Sequence, residues 1–320
     1  MKLLVTGGAG FIGSNFIRHI MTRHPDYEIV NLDNLTYAGN QNSLRDMEKN
    51  PLYTFIKGDI CNRDLVSTIL TRHSIDTIIH FAAESHVDRS IADPSAFVKT
   101  NVFGTHILLE CAREHALSSF IHISTDEVYG STASGSFNEK AILNPSSPYS
   151  ASKAGSDLLA LSYFTTYNLP VIITRCTNNF GPYQYPEKLI PLFVTNLISG
   201  KKVPVYGTGE NVRDWIHVGD HCRAIEFLLQ KGNYGEIYNI GGGNEKTNLQ
   251  ITQMIMELLK KDTSMIEYVA NRPGHDFRYS LDCSKLHALG WKPTYSFEEG
   301  LRDTVSWYLQ NAWWWKPLTK

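Results

Sequence analysis

The stretch Ser124-Thr125-Asp126-Glu127-Val128-Tyr129-Gly130 sets two carboxylates side by side, directly after the apolar run Phe120-Ile121-His122-Ile123. Neighbouring side chains of a regular strand point to opposite faces, so both carboxylates can address one small molecule only if the strand ends at this corner. Two carboxyls divide acid and base work at neutral pH when their surroundings separate their pKa values. Such residues also cap turns, Asp especially, and the pair alone does not choose between these uses. Farther along, Tyr149-Ser150-Ala151-Ser152-Lys153 puts a phenol and an ammonium four residues apart, on one face of a helix. A tyrosine with a pKa of about 10 is a poor base at neutral pH, and a neighbouring cation is expected to lower that value. The phenol can then accept a proton from an alcohol as hydride leaves the same carbon.

A hydride needs an acceptor, and the amino terminus offers a place for one. Gly7, Gly10 and Gly13 follow the apolar Leu3-Leu4-Val5 in the order GxxGxxG, a variant of the dinucleotide spacing. Gly7 permits the tight turn, Gly10 lets backbone approach a pyrophosphate, and Gly13 lets the helix pack closely on the strand. The phosphates then sit at the positive helix amino terminus. Asp33 stands twenty residues after Gly13, at the end of the next apolar run, where a carboxylate binds ribose hydroxyls and repels a 2′-phosphate. NAD is thereby favoured over NADP. Asp59, in Lys57-Gly58-Asp59-Ile60, ends a third run; it can meet the adenine edge or cap the following helix, and both uses stay open.

Three other patterns carry less. Ser150-x-x-Lys153 matches the nucleophile motif of penicillin-binding enzymes but lacks the companion SDN and KTG motifs. Ser85, His86 and Asp88 fall in one short run, whereas triad members converge from separate segments. His217 and His221 are four apart, but Gly219 and Asp220 between them place a helix start there, with Asp220 as its cap, so no metal site is expected.

To gather these segments the chain must alternate strands and helices. Strand-length apolar runs occur at Leu3-Leu4-Val5, 29–32, 54–56, 77–81, 120–124 and 171–173, with helical patterns near 11–23, 63–73, 95–115 and 148–167. Nearly continuous Val, Ile, Leu and Phe in the strands indicates a parallel sheet covered on both faces, hence a doubly wound α/β (Rossmann) fold. After residue 176, prolines and glycines punctuate shorter elements. The expected division is a dinucleotide-binding domain over 1–176, to which the chain returns near 212–240, and a smaller lobe over 177–320. Further helices are expected over 220–230 and 247–261.

Bulk properties narrow the function classes. A chain of 320 residues with 42% hydrophobic and 19% charged residues is of ordinary globular composition. No apolar run approaches the roughly 18–20 residues that span a bilayer, and a net charge of −2 gives no broad field for nucleic acid. Five scattered cysteines without a CxxC pair point to neither a disulfide framework nor a zinc knuckle. A reducing cytoplasm is the expected home, and the Asn34-Leu35-Thr36 sequon is expected to go unused. The tail Trp313-Trp314-Trp315 is expected to dock on the body or on a partner, since no basic amphipathic helix supports a membrane role.

Taken together, GGAGFIG (7–13), Asp33, AAESHVDRS (82–90), STDEVYG and YSASK resemble the extended short-chain dehydrogenase/reductases. The Asp-Glu pair, with NNFGPYQYPEKLIP (178–191), RDWIHVGDH (213–221), YNIGGGNEKTN (238–248) and RPGHDFRY (272–279), narrows the resemblance to the dTDP-glucose 4,6-dehydratases, over essentially the whole chain. The resemblance implies a lyase in which NAD is returned unchanged. Tyr149 takes the proton of the sugar 4-hydroxyl during oxidation at C4, Glu127 removes the C5 proton, and Asp126 protonates the departing 6-hydroxyl. Thr125 and Lys153 complete the implied catalytic set.

By matching position, the resemblance also implies cofactor contacts at Gly7, Gly10, Phe11, Ile12 and Gly13, then at Asp33, Asn34, Leu35 and Thr36. Asp59, Ile60, Phe81, Ala82, Ala83, Glu84 and Ser85 follow, with Thr100, Tyr149, Lys153 and Asn179. The nucleotide-sugar would meet Ser85, Thr125, Asn178, Lys188 and Leu189, then Pro204, Val205, Tyr206, Arg213 and Asn248, and finally Asn271, Arg272, Pro273, Gly274 and His275. Arg213 and Arg272 suit a diphosphate, although either alone equally suits a surface salt bridge. Asn271 stands where an aspartate is the pattern, and only 18 residues separate Gly130 from Tyr149, shorter than in some relatives. A homodimer is implied, with the helices near 95–115 and 148–167 forming a four-helix interface; both could instead cover the sheet. Rhamnose is the commoner destination of such products. The rival readings are a nucleotide-sugar 4-epimerase, which needs no dehydration pair, a GDP- or UDP-sugar 4,6-dehydratase, and a non-enzymatic NAD sensor.

Overall fold

The computed structural model describes residues 1–271 and 276–319. Seven parallel strands form its central sheet: β1 (Lys2–Thr6), β2 (Glu28–Asp33), β3 (Tyr53–Lys57), β4 (Thr77–His80), β5 (Ser119–Thr125), β6 (Val171–Cys176) and, after three strands that lie elsewhere, β10 (Ile237–Ile240). Their order across the sheet is β3-β2-β1-β4-β5-β6-β10, so the chain winds outward from β1 in one direction, returns, and continues in the other. This is the doubly wound arrangement expected from the alternating pattern.

The continuous hydrophobicity of the strands has its reason in two cores. Leu3 and Val5 enter the core beneath the helices Phe11–Arg23 and Val218–Lys231. Leu4, between them, enters the opposite core beneath the helices Arg63–Arg72, Thr105–Glu114 and Pro148–Tyr167. All three are 0% exposed, as a strand with no solvent face requires. Seating the first helix on β1 depends on Gly13, where an added Cβ would lie 2.4 Å from the Gly7 carbonyl oxygen. Gly7 itself has φ +72°, a conformation that L side chains resist.

The remaining chain builds a smaller body with its own core around Phe180, Phe193, Trp215, Ile255 and Phe297. It carries the sheet β11 (Glu245–Thr247), β9 (Val212–His217), β7 (Asn178–Phe180), and the pair β8 (Val203–Tyr206), β12 (Ile266–Val269). The helix expected over 220–230 runs from Val218 to Lys231 and is capped by His217, whose Nδ1 accepts from the Gly219 amide. Asp220 is therefore not the cap: its carboxylate accepts from the amides of Thr294 and Tyr295 instead, tying a later loop to this helix. The helix expected over 247–261 spans Asn248–Leu258, with Thr247 and Gln250 closing a capping box.

The aromatic tail packs on the body. Trp314 Nε1 donates to Ser43 Oγ at 3.1 Å and Trp315 Nε1 to the Tyr308 carbonyl at 2.7 Å, while Trp313 stays half exposed. No described helix is long and apolar enough to cross a membrane.

A buried cluster on the outer face ties the first helix to Val218–Lys231. Glu226 accepts from Arg23 Nε at 2.9 Å and lies 2.7 Å from the Nε2 atoms of His19 and His24. Burial pushes this carboxyl up, but hydrogen bonds from Arg23, His19 and His24 outweigh it and bring the pKa from 4.5 to about 2. A depressed carboxyl pKa contributes stability above the unfolded value, and that contribution disappears as pH falls from 4.5 through about 2. Glu226→Gln is expected to lower the urea midpoint at pH 7 and to flatten the acid limb of the stability profile. An unchanged acid limb in urea titrations counts against this role.

Candidate active site

The carboxyl ends of β1, β2, β4, β5 and β6 open into one cleft. Its dinucleotide end is lined by Gly7, Gly10, Phe11, Ile12 and Gly13, by Asp33, Asn34 and Thr36, and by Asp59 and Ile60. Gly10 begins the helix Phe11–Arg23 with no capping side chain, leaving first-turn amides to serve an anion. Asp33 is 8% exposed and already organises the loops: its Oδ2 accepts from the Ala9 amide at 2.9 Å and its Oδ1 from the Leu35 amide at 2.8 Å. Burial raises its pKa against those bonds. Leu35 does not line the cleft; its amide shapes the loop and its φ is +53°. The helix after β3 is capped by Asn62, whose side chain accepts from Leu65, so Asp59 is not the cap; its Oδ1 accepts from the Cys61 amide, and it lines the cleft. This donor set and its space fit NAD.

At the reacting end, Ser124, Thr125, Asp126, Glu127, Tyr149, Lys153 and Cys176 share the same cleft. Strand β5 stops at Thr125, and Asp126–Tyr129 turns as a 3₁₀ segment whose first amides are capped by Thr125 Oγ1, which accepts from the Glu127 amide at 3.3 Å. The turn is what lets two successive carboxylates face one space. Thr125 Oγ1 also donates to Asp126 Oδ1 at 3.2 Å, whereas Asp126 Oδ2 is buried without a hydrogen-bond partner among the described residues. Burial, then the charge of Glu127, pushes the Asp126 carboxyl well above its usual range. Asp126 is 3% exposed and Glu127 half-buried. The two groups thus lie in different surroundings, the condition for assigning acid to one and base to the other.

Lys153 Nζ donates to the Ile123 carbonyl at 2.7 Å. Burial lowers its pKa from 10.5 to about 8, opposed by the charge of Asp157. Tyr149 departs from the sequence expectation: burial, then Glu127, raises its phenol well above the usual range. The ammonium expected to lower it points at a strand carbonyl, and desolvation of a charged phenolate dominates.

The cleft also receives Phe81, Ala82, Ala83, Glu84, Ser85, Thr100, Asn178, Asn179, Lys188 and Leu189. Lys188 Nζ donates to the Ser85 carbonyl at 2.9 Å across its mouth. Pro204, Val205, Tyr206, Arg213, Asn248 and Asn271 do not line it. Pro204–Tyr206 belong to β8, Asn271 lies near the following Gly207, and the Asn248 amide donates to the Asn211 carbonyl at 3.0 Å. Arg213 is 6% exposed, and its guanidinium donates to the carbonyls of Val212, Asp276 and Phe277. Arg272, Pro273, Gly274 and His275 fall outside the described residues.

Several lining residues were not anticipated, among them Ala38, Gly39, Gln184, Tyr185, Glu187 and Trp215. The clearest omission is Asn101, which is 1% exposed. It accepts from the Glu84 amide at 2.8 Å and donates to the Glu84 carbonyl at 3.0 Å and Ser152 Oγ at 2.8 Å, pinning the 82–85 loop to the helix of Tyr149. Asn101 and Thr100 sit in a π-helical turn over Val98–Gly104 that interrupts the expected helix. Nothing in spacing marks such a turn. No group of three or more His, Cys, Asp or Glu among the described residues is arranged to hold a metal.

A glycine turn after the first strand of a parallel sheet, an aspartate at the end of the next strand, a Tyr-x-x-x-Lys helix and a carboxyl pair at the end of β5 are together the features of an extended short-chain dehydrogenase/reductase. The family model described as GDP-mannose 4,6 dehydratase matches residues 4–304. The chain belongs to this family of nucleotide-sugar dehydratases, and within it to the dTDP-glucose 4,6-dehydratases. The dTDP-glucose 4,6-dehydratase of Streptomyces niveus is 51% identical, over 99% of this chain and 96% of that protein. The crystal structure of the Streptomyces venezuelae dTDP-glucose 4,6-dehydratase with NAD and dTDP bound superimposes with a TM-score of 0.97 at 54% identity, covering 99% of this chain and 100% of that one. A UDP-glucose 4-epimerase of Thermotoga maritima, crystallised with UDP-glucose, gives 0.91 at 31% identity, over 98% of this chain and 100% of that one.

Asp126 is expected to be protonated at pH 7 in the folded protein. Infrared difference spectra between the unaltered protein and Asp126→Asn should contain a carboxylic-acid carbonyl band at pH 7. Its absence there, with appearance only in acid, contradicts the assignment.

Proposed function

We propose that this chain dehydrates dTDP-glucose to dTDP-4-keto-6-deoxyglucose. The observation that carries the reading is the corner where β5 ends: one buried carboxyl with an unpartnered oxygen and one half-buried carboxylate, in the same cleft as Tyr149 and Lys153. A 4-epimerase has no use for that pair. When bound, NAD supplies a reversible hydride acceptor at C4 and donor at C6, and its positive ring opposes the burial that raises the Tyr149 pKa.

The chain's residues handle the protons. Tyr149 accepts the proton of the 4-hydroxyl, with Thr125 Oγ1 hydrogen-bonding the same oxygen and Lys153 supplying charge beneath. The 4-ketone acidifies the hydrogen at C5. Glu127 takes that proton, the electron pair forms the C5–C6 double bond, and the 6-hydroxyl leaves with the Asp126 proton as water. Glu127 returns a proton to C5 as C6 is reduced. Asn178, Lys188 and Leu189 flank the sugar. The cluster of Pro204, Val205, Tyr206, Arg213, Asn248 and Asn271 holds the nucleotide beside it, with residues 272–275 expected to join them. The dinucleotide body is assigned to 1–176 with the return near 212–240, and the nucleotide-sugar lobe to the rest of 177–320.

The working form is proposed to be a cytoplasmic homodimer. All five cysteines are free thiols, in keeping with a reducing compartment. Val98, Phe103 and Leu158 stand 56%, 48% and 58% exposed on the two helical segments assigned to the interface.

Incubation with dTDP-glucose is expected to yield a product lighter by one water. Asp126→Asn should slow that loss by about a hundredfold or more while oxidation at C4 stays measurable, and Glu127→Gln should suppress exchange of the C5 hydrogen with solvent. Oxidation should fall on the alkaline side as Lys153 deprotonates near its pKa of about 8. Retention of the 6-hydroxyl with NAD bound, on dTDP-, GDP- and UDP-glucose alike, would favour the sensor reading where C4 is also unchanged, and the 4-epimerase where C4 is inverted. In sedimentation velocity, Phe103→Glu combined with Leu158→Glu should convert a dimer to a monomer; a dimer that persists removes this face from the interface.

A further inference from the structure

Behind the acid–base corner lies a buried ionic link that the proposed chemistry does not use. Arg175 on β6 is 2% exposed and Asp157 0% exposed, and Arg175 Nε donates to Asp157 Oδ2 at 2.8 Å. Removing both charges from water is costly, and a buried pair is not in itself a gain in stability, so its place in the fold calls for another reason. Asp157 lies one helical turn beyond Lys153 and two beyond Tyr149 on the helix Pro148–Tyr167. The Arg175 guanidinium carbon stands 4.7 Å from the centroid of the Tyr129 ring, and Tyr129 is the last residue of the turn that carries Asp126 and Glu127.

Tyr129 is gripped from a third side. Its hydroxyl donates at 2.9 Å to Asn239 Oδ1, on β10 and in register with Arg175, and its ring stacks on Phe137 at 5.2 Å. Asn239 is itself fixed, donating through Nδ2 to the Phe137 and Asp282 carbonyls. His122 on β5 completes the surroundings of Asp157, with Nε2 at 3.4 Å from Oδ1 and at 3.0 Å from Ser156 Oγ.

We infer that Asp157 and Arg175 are positioning residues for the elimination step, joining the helix of Tyr149 and Lys153 to the turn of Asp126 and Glu127 through the Tyr129 ring. Oxidation needs only the phenol and the cofactor in place, whereas elimination needs both carboxyls registered on C5 and C6 of a sugar held by that phenol. A small misplacement in a catalytic constellation costs rate steeply, so loosening the turn falls on elimination first. Asp157 also opposes burial at Lys153, giving it a second connection to the phenol side.

The inference rests on the dehydration proposed above, and one experiment separates the two. The holoenzyme is mixed with dTDP-glucose in single turnover, following NADH absorbance for C4 oxidation and mass for solvent exchange at C5 and water loss. Arg175→Met is expected to slow exchange and water loss at least tenfold with oxidation changed less than about threefold, and Arg175→Lys to recover part of the loss. Tyr129→Leu keeps both charged partners and removes the ring and hydroxyl through which they bear on the turn; it should show the same split and serves if the arginine variant does not fold. Equal falls in oxidation and elimination, or no fall in either, overturn the positioning role. Failure of the unaltered enzyme to release water overturns the dehydratase reading instead.

Discussion

The direction of the strands is the constraint on which the site depends. In a sheet with every strand parallel, each carboxyl end reaches the same edge, and the crossover helices return the chain to the opposite one. The glycine turn after β1, Asp33 at the end of β2, the 82–85 loop after β4, the carboxyl corner after β5 and Cys176 at the end of β6 are therefore neighbours despite their separation in sequence. Order reverses beside β1, which opens the crevice where a dinucleotide lies. No side chain has to arrange this meeting; it follows from burying near-continuous apolar strands between two layers of helices.

Within that crevice, unequal burial turns similar groups into different reagents. Asp126 and Glu127 are consecutive carboxylic acids, yet one is nearly sealed from water and the other half-open. Two negative charges so close are unfavourable, and burial, then the charge of Glu127, pushes the Asp126 carboxyl well above its usual range. The 3₁₀ turn creates this inequality by tucking the first residue inward beneath Thr125 and leaving the second at the mouth. Desolvation acts oppositely on Lys153, where the charged form is the protonated one, so acid and base are drawn toward the neutral range from both ends.

The first six strands, the four helices expected before residue 168 and the glycine turn were legible because each has a local cause: a run of β-branched and aromatic residues, a 3.6 period, a glycine spacing; β10 of the same sheet was not. Among cleft residues Gly7, Gly10, Gly13, Asp33, Asp126, Glu127, Tyr149 and Lys153 were readable for the same reason, whereas Leu35, implied by the resemblance, serves the loop through its amide and does not line the cleft. What escaped the sequence was settled by tertiary contact. His217, not Asp220, caps its helix because Asp220 is claimed by two amides some seventy residues later. Asn101 pins Glu84 and Ser152 from a π-helical turn whose extra residue leaves no compositional trace. The phenol's pKa went the other way because the sequence shows that Lys153 is near Tyr149 but not how deeply the phenol is buried, and burial, then Glu127, raises it.

The likeness to a UDP-glucose 4-epimerase over nearly the entire chain means that the architecture does not by itself choose a reaction. Both chemistries begin by making C4 a ketone, which requires the phenol, the ammonium and a cofactor. Beyond that point the outcome depends on whether an acid and a base stand beside C5 and C6. A ketone at C4 without such a pair can only be reduced again. With an acid and a base in reach, the roles proposed for Asp126 and Glu127, the acidified C5 hydrogen and the C6 oxygen leave instead, and the reaction finishes at a different carbon. On the proposed reading, the commitment to one product rests on Asp126 and Glu127 and on how firmly their turn is held, and the buried Tyr129, Arg175 and Asp157 lie at the back of that four-residue turn.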